Sequence, residues 1–177
     1  MNTKHRIFVV GDTPLSAELR GVLIDEPDLE IIGQADNGCN AVQAVGKHSP
    51  ALVLLDLTMP DITGIDTLTA IKKQYPNVRV LVMTRHKNEE FIHACQTVGA
   101  DGYVLKDAIH EELLTAIHSV LQQPAVSLLS LDRDPDAIIR YAEALSILLD
   151  HLEDRDGSYD RRRHSQSLSR RVPVRIG

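Results

Sequence analysis

The stretch that decides the fold is LVLLDLTMP, residues 52–60, in which a run of four aliphatic residues ends at an aspartate. An apolar run of this length, without alternation, is typical of a strand buried on both faces of a parallel sheet. Ligands of such sheets lie beyond the carboxyl ends of the strands. A functional site is therefore expected at this edge of the sheet, around Asp56.

Four further apolar runs accompany this one, and amphipathic stretches of helical length separate them. They cover residues 7–10, 30–32, 78–82 and 103–105. Five strands alternating with five helices predict an α/β protein with a flavodoxin-like (βα)5 fold, a doubly wound parallel five-stranded sheet covered on both faces. In the first helix, Thr13 is the predicted cap and Pro14 the first helical residue.

Polar side chains follow four of the predicted strands, at the edge where their carboxyl ends meet. In chain order they are Asp12, Asp56, Thr84 and Lys106. Neighbouring carboxylates stay ionised at low cost only when a cation lies between them, and Mg²⁺ prefers oxygen ligands. An ammonium group and a hydroxyl are suitable donors to a phosphoryl group. Taken singly, Asp12 is more typical of a helix cap, but the joint order of the four residues favours a site.

The segment 53–60, with Gly64 four residues after the proline, resembles the phosphoacceptor segment of two-component response regulator receiver domains. Segments 82–84 and 102–107 resemble the switch-threonine and lysine segments of that family. The ending Lys106-Asp107 is similar to the ending of this segment in the subfamily that usually carries a LuxR-type helix-turn-helix output. The resemblance covers about residues 5–122.

The resemblance implies a signalling switch rather than an enzyme. Asp56 would accept a phosphoryl group from a phosphohistidine on a sensor histidine kinase, and Lys106 would pair with a phosphoryl oxygen. Mg²⁺ would be held by Asp12, Asp56 and the backbone carbonyl of Thr58.

In the same resemblance, Thr84 would move toward the phosphoryl group and Tyr103 would turn inward behind it. This change would alter the face formed by the fourth helix, fifth strand and fifth helix. That face, or a helix near the C-terminus, is the expected contact for a homodimer or a partner protein.

Two positions depart from the family pattern. Receivers usually carry two acids after the first strand, and here the first of them is Gly11. The loss of one negative charge predicts weaker Mg²⁺ binding and slower phosphorylation, with a pseudo-receiver that acts without phosphate as the alternative. The residue after the switch threonine is usually small, whereas Arg85 is large and either shields the phosphoaspartate or points to solvent.

The chain divides into segments of different charge. The predicted divisions are a receiver at 1–123, a linker at 124–133, an amphipathic helix at 134–154 and an Arg/Ser-rich disordered tail at 155–177. The net charge is −6 over residues 1–123, −5 over 124–154 and +5 over 155–177. Such asymmetry indicates segments that behave differently.

The predicted C-terminal helix has one apolar stripe, formed by Ile138, Ala142, Leu145, Leu149 and Leu152. The stripe favours either packing on the chain's own receiver or binding to a second molecule. The recognition segments of a LuxR-type output are not found after residue 123. A DNA-binding transcription regulator with a divergent or truncated output therefore stays an alternative, with the basic tail as a non-specific contact to nucleic acid.

The amino-acid composition and the absence of certain motifs disfavour several other classes of function. The chain has no tryptophan, and Cys39 and Cys95 form no metal or disulfide pattern, so a base-stacking platform and a cysteine metal site are not expected. No signal peptide or membrane span is predicted, which favours the cytoplasm. A flavodoxin-like enzyme is disfavoured because the chain shows neither a Gly-rich phosphate loop nor a nucleophile–base pair.

Overall fold

The computed structural model describes residues 4–58, 64–125, 140, 143–144 and 146–148. Strands and helices alternate along this part of the chain. Their bounds are β1 (His5–Val10), α1 (Thr13–Leu23), β2 (Leu29–Ala35), α2 (Gly38–His48), β3 (Leu52–Asp56), α3 (Gly64–Gln74), β4 (Arg79–Thr84), α4 (Glu89–Thr97), β5 (Gly102–Leu105) and α5 (Ile109–Gln122), with a short 3-10 helix at Lys106–Ala108. The predicted alternation of five strands and five helices is confirmed.

The five strands form one parallel sheet in the order β2-β1-β3-β4-β5. The chain leaves β1 toward β2 on one side and then returns to β3 on the other, so the order reverses between β1 and β3. Crevices for ligands form at the carboxyl ends of strands at such a reversal. Gly11, Asp12 and Asp56 come from the two strands that flank it.

The core lies in two apolar layers, one on each face of the sheet. All five residues of β3 are buried. Leu52 and Leu54 belong to the layer beneath α1 and α5, whereas Val53 and Leu55 belong to the layer beneath α2, α3 and α4. Because neighbouring strand residues face opposite sides, a continuous apolar run is what a doubly covered strand needs.

The first helix begins one residue earlier than the sequence pattern suggested. Asp12 is its N-cap, and the Asp12 carboxylate accepts a hydrogen bond from Leu15 N at 2.9 Å. Thr13 is the first residue of α1, so its predicted role as the cap was wrong. The carboxylate is favoured there because it is the charged acceptor at the positive end of the helix dipole.

A buried ion pair joins α3 to β4 and β5. Lys72 is fully buried, and its Nζ donates to Asp101 Oδ2 at 2.9 Å and to Val78 O at 3.1 Å. The same Asp101 oxygen accepts from Val80 N at 2.7 Å. Burial lowers the pKa of Lys72, while the hydrogen bond and charge of Asp101 oppose the shift. Because Lys72 and Asp101 each make a further hydrogen bond to the backbone around β4, the pair fixes the amino end of β4 against α3.

Only part of the predicted C-terminal helix falls within the described residues. Residues 140, 143–144 and 146–148 are helical. Ala144 and Leu148 are buried in the apolar layer beneath α2, α3 and α4, and Ile147 packs against that layer. The five residues of the predicted stripe, and the tail at 155–177, lie outside the described residues. Among the described residues, no helix is both long and apolar enough to cross a membrane.

Candidate functional site

Asp56 is the last residue of β3 and lies at the carboxyl edge of the sheet. It is 3% exposed and pairs in register with Met83 of β4. A carboxylate this deeply buried needs a cation or several hydrogen-bond donors around it. The structure supplies both.

Lys106 and Thr58 surround the Asp56 carboxylate. Lys106 Nζ lies 2.6 Å from Asp56 Oδ2, with 13% of the lysine side chain exposed. Thr58 N and Thr58 Oγ1 donate to the other oxygen, Oδ1, at 2.8 and 2.7 Å. Lys106 Nζ also donates to Thr58 Oγ1 at 2.9 Å. The three side chains form a closed polar network around one carboxylate.

Asp12 lies at the same edge, but its carboxylate is occupied differently. One of its oxygens caps α1, and the residue is exposed. The helix-cap alternative considered for Asp12 therefore describes what this side chain does in the structure. Its second oxygen remains a potential ligand on the side where β1 ends.

Thr84 ends β4 beside the network and is 1% exposed. Its hydroxyl accepts a hydrogen bond from His86 N at 3.1 Å, which binds it to the loop that follows β4. Tyr103, which pairs in register with Val82, is 39% exposed. The hydroxyl is thus held by its own loop, and the tyrosine ring is turned outward.

Two neighbouring positions complete the surroundings. A Cβ added at Gly11 would lie 3.4 Å from Asp56 Cβ, which places position 11 directly beside the carboxylate. Arg85 is exposed, in agreement with the alternative that it points to solvent. A cleft of about 290 Å³ opens nearby and is lined by Gly11, Asp36 and Asn40, among others, but not by Asp56.

The donor set around Asp56 suits Mg²⁺. Two carboxylates of the carboxyl edge, Asp12 and Asp56, offer the hard oxygen ligands that this cation binds, and the exposed position of Asp12 leaves room for the waters that Mg²⁺ retains. Lys106 already neutralises one oxygen of Asp56. Without an acid at position 11, the set carries one carboxylate fewer than the family pattern.

A second group of possible metal ligands lies elsewhere. Glu26, Asp28 and His118 place ligand atoms within 4.8 Å of one another, with His118 Nε2 3.0 Å from Asp28 Oδ2. Asp28 precedes β2, at the amino edge of the sheet. This group is therefore distinct from the predicted Mg²⁺ site.

Sequence reasoning missed the side chain of Thr58, for which only the backbone carbonyl was considered. The sequence carries a signal for the backbone contact alone, because an aspartate commonly accepts from the backbone N–H two residues later, and nothing in it selects the Thr58 hydroxyl. It also missed the contact between His86 and Phe91, whose ring centroids lie 4.4 Å apart. A histidine followed five residues later by a phenylalanine gives no comparable signal in sequence.

Comparison with known proteins agrees with the geometry of this edge. The family model described as the response regulator receiver domain matches residues 7–118. The transcriptional regulatory protein DegU from Brevibacillus brevis is 32% identical over 120 residues, covering 67% of this chain and 51% of that protein. The nitrate/nitrite response regulator NarL from Escherichia coli K12 is 34% identical over 113 residues, covering 63% and 52% respectively.

Solved structures give the same picture. A two-component response regulator of the LuxR family from Aurantimonas sp. superimposes with a TM-score of 0.64 at 29% identity, covering 80% of this chain and 97% of the other. The chain spans about half the length of the curated relatives it matches.

Proposed function

Since the chain belongs to the response regulator receiver family, as its motifs predicted, we propose that it is a phosphorylation-controlled switch in which Asp56 accepts a phosphoryl group from a sensor histidine kinase. The receiver is related to regulators of the LuxR and NarL type. The observation that carries the proposal is the buried Asp56 carboxylate, with Lys106 on one oxygen and Thr58 on the other.

In the proposed transfer, an oxygen of Asp56 attacks the phosphorus of a phosphohistidine. The P–N bond breaks, its electron pair stays on the imidazole nitrogen, and that nitrogen takes a proton from water. The product is an acyl phosphate on Asp56. Positioning and charge stabilisation supply most of the rate in such reactions.

The residues present have distinct parts in this step. Thr58 holds Asp56 Oδ1 through two hydrogen bonds and so fixes the orientation of the carboxylate. The Lys106 ammonium, which pairs with the Asp56 carboxylate before the transfer, would pair with an oxygen of the phosphoryl group after it. Asp12, Asp56 and the carbonyl of Thr58 would hold Mg²⁺, which when bound neutralises charge on the transferring phosphoryl group.

The proposed switch follows from the added charge. A phosphoryl group on Asp56 offers the Thr84 hydroxyl a charged acceptor for its proton, whereas in this structure the hydroxyl oxygen accepts from His86 N. When Thr84 moves, the space behind it admits Tyr103, which is turned outward in this structure. The two arrangements are alternative packings whose populations the phosphoryl group shifts.

The test is to incubate the protein with acetyl phosphate and Mg²⁺ and to locate added phosphate by peptide mass spectrometry. We expect a mass gain of one phosphoryl group on the peptide that contains Asp56, and none in Asp56→Asn. Asp107→Asn, which removes an exposed carboxylate near the same edge, should leave the gain unchanged. The absence of a gain in the wild type at saturating Mg²⁺ would contradict the proposal and favour a pseudo-receiver.

A transcription regulator is the second candidate, and the names of the relatives favour it. DegU and NarL are named as regulatory proteins, the first as transcriptional. DNA binding by this chain would need residues beyond the receiver. Its test is retardation of duplex DNA by the full chain, in which a preference for one sequence over unrelated duplexes would support a regulator that reads bases.

A further inference from the structure

Glu26, Asp28 and His118 bring three potential metal ligands together at the amino edge of the sheet. Each residue offers one ligand atom, these atoms all lie within 4.8 Å of one another, and all three residues are partly buried. Asp56 ends β3 at the opposite, carboxyl edge. The phosphorylation proposed for Asp56 therefore makes no use of this group.

The turn between α1 and β2 holds the two carboxylates on a fixed backbone. Glu26 N donates to Leu23 O at 3.3 Å, and Asp28 O accepts from His5 N of β1 at 2.7 Å. Pro27, between the two acids, has a fixed φ and also restricts the conformation of the residue before it. Both carboxylates thus start from positions that a ligand does not have to order.

His118 reaches this turn from α5. Leu114 and Leu121, four residues before it and three after it, pack against the apolar layer beneath α1 and α5. Residues at these spacings are neighbours on one side of a helix. The packed helix therefore carries the imidazole to the turn before β2, where His118 Nε2 lies 3.0 Å from Asp28 Oδ2.

The contact between His118 and Asp28 has nearly the spacing that a shared cation needs. Around a tetrahedral Zn²⁺, an imidazole nitrogen and a carboxylate oxygen at about 2.0–2.1 Å from the metal are about 3.3 Å apart. An ionised carboxylate only accepts hydrogen bonds, so Nε2 carries the proton in the present contact. A cation would take the place of that proton, and the neutral ring would keep its hydrogen on Nδ1.

Glu26 distinguishes this group from an ordinary pair of a histidine and a carboxylate. Its side chain makes no hydrogen bond or ion pair with any residue that the structure describes. The negative charges of Glu26 and Asp28, beside a neutral imidazole, equal the charge of one divalent cation. A cation between them would remove the repulsion of two carboxylates that the fold holds close together.

The types of ligand select the kind of cation. One imidazole nitrogen and two carboxylate oxygens suit Zn²⁺, which binds such ligands and accepts a water in the fourth position. The side chains of His118 and Asp28 are 39% and 36% exposed, which leaves room for that water. Mg²⁺ prefers oxygen ligands throughout, so it should compete poorly here.

We propose that Glu26, Asp28 and His118 form a Zn²⁺ site that joins α5 to the turn between α1 and β2. The site needs the folded chain, because α5 and the turn are brought together by the fold. Bound Zn²⁺ therefore stabilises the receiver, as any ligand of the native state alone does. It requires no phosphoryl group on Asp56.

The test titrates Zn²⁺ into the full chain after a chelator has removed bound metals. Excess Mg²⁺ is present so that sites made of oxygen ligands do not contribute, and a fluorescent Zn²⁺ indicator competes for the ion and reports the Kd. We expect His118→Ala and Glu26→Gln each to weaken binding at least about tenfold, since the loss of an outer-shell partner alone costs that much. Nitrogen-15 NMR of the imidazole should show the His118 Nε2 resonance shifting as Zn²⁺ binds.

Two variants are matched controls. His110→Ala removes another α5 histidine, whose Nε2 lies 3.1 Å from Glu18 Oε1 without a third ligand in the described part of the chain. Asp25→Asn removes an exposed acid next to Glu26. Both should bind Zn²⁺ like the wild type. Thermal unfolding adds a second readout, because Zn²⁺ should raise the Tm of the wild type and of His110→Ala but not that of His118→Ala.

Three results would overturn the proposal. The first is a wild type that binds no Zn²⁺, and the second is equal affinity in the wild type and His118→Ala, which would place the ion elsewhere. The third is full affinity in Glu26→Gln, which would reduce the group to a pair of His118 and Asp28. None of them bears on Asp56, whose phosphorylation is followed separately by mass spectrometry.

Discussion

Gly11 lies directly beside the proposed phosphoacceptor, at a position where receivers usually carry an acid. In the family, that acid acts mostly through a water on the metal, so we expect its loss to weaken the proposed Mg²⁺ site without removing a direct ligand. In Gly11→Asp the new Cβ would lie 3.0 Å from Leu15 Cδ2, so this end of the leucine side chain must shift by a few tenths of an ångström. An aspartate can therefore be placed at position 11 to test how an added negative charge changes Mg²⁺ binding.

We expect Gly11→Asp to bind Mg²⁺ roughly tenfold tighter, the lower end of what an outer-sphere partner contributes to metal affinity. Isothermal titration calorimetry measures this directly. Gly11→Asn has the same size without the charge and should leave the affinity close to that of the wild type. An unchanged affinity in Gly11→Asp would refute the argument that the missing acid weakens the site.

Cys95 gives a second prediction at the scale of single residues. It is 1% exposed, and burial raises the pKa of its thiol from 9.0 to about 12. Above pH 9.0 the unfolded chain loses this proton while the folded chain keeps it. The free energy of unfolding should therefore fall with rising pH by up to about 1.4 kcal/mol per pH unit from this group alone.

Urea unfolding of the wild type and Cys95→Ala at several pH values above 9.0 tests the sign. The stability difference between them should shrink as the pH rises, because the alanine variant lacks the titrating group. Cys39→Ala removes an exposed thiol and should follow the wild type. A difference independent of pH would show that Cys95 ionises alike in both states.

Individual residues also show where sequence reasoning stops. The positions of Asp56 and Lys106 followed from apolar periodicity, because a parallel sheet brings the carboxyl ends of its strands together. The sequence did not show which threonine hydroxyl binds Asp56. Thr58 and Thr84 both lie near the edge of the sheet, and only local turn geometry selects Thr58. The orientation of Asp12 was decided by the free amides of α1.

At the scale of elements, α3 is held against the loop after β3 by a glycine. A Cβ at Gly64 would lie 2.5 Å from Leu57 Cα and 2.7 Å from Asp56 O. Both atoms belong to the backbone, which cannot move aside without moving Asp56. The sequence showed the glycine after the proline but not the contact that requires it.

We expect Gly64→Ala to lower the free energy of unfolding by about 1–3 kcal/mol, as overpacking usually does, and to slow phosphorylation of Asp56. Gly21→Ala is the matched control, since a Cβ there meets nothing within 4 Å and α1 gains a better helix former. That variant should be stabilised by about 0.5–1 kcal/mol. Urea denaturation compares the two, and equal stability of Gly64→Ala and the wild type would contradict the close contact.

The C-terminal helical segment packs on the receiver through Ala144 and Leu148, which lie in the layer beneath α2, α3 and α4. The stripe that the sequence pattern selected, which includes Leu145 and Leu149, lies outside the described residues and stays a prediction. One position along a helix is a rotation of about 100°. Periodicity alone therefore did not single out the face that carries Ala144 and Leu148.

At the scale of the whole molecule, the net charge has opposite signs in the receiver and in the C-terminal region. Residues 1–123 carry a net charge of −6, whereas residues 155–177 carry seven arginines and a net charge of +5. The fold of the receiver followed almost entirely from the sequence, because five strands that alternate with five helices allow few arrangements. The role of the basic region did not follow from the sequence. A net positive charge without a recognisable motif indicates only that a partner would be anionic.

If the basic region contacts DNA, it should do so through phosphates and without sequence preference. We expect the full chain to retard unrelated duplexes equally at low salt, with log affinity falling by about 0.9 per unit of log salt for each phosphate neutralised. Replacing Arg161, Arg162 and Arg163 by alanine should reduce that slope. A variant with the same charge change in the receiver, at the exposed Arg6, Arg20 and Arg85, should keep it. A sequence preference would contradict contact by phosphates alone and would point to an output that reads bases.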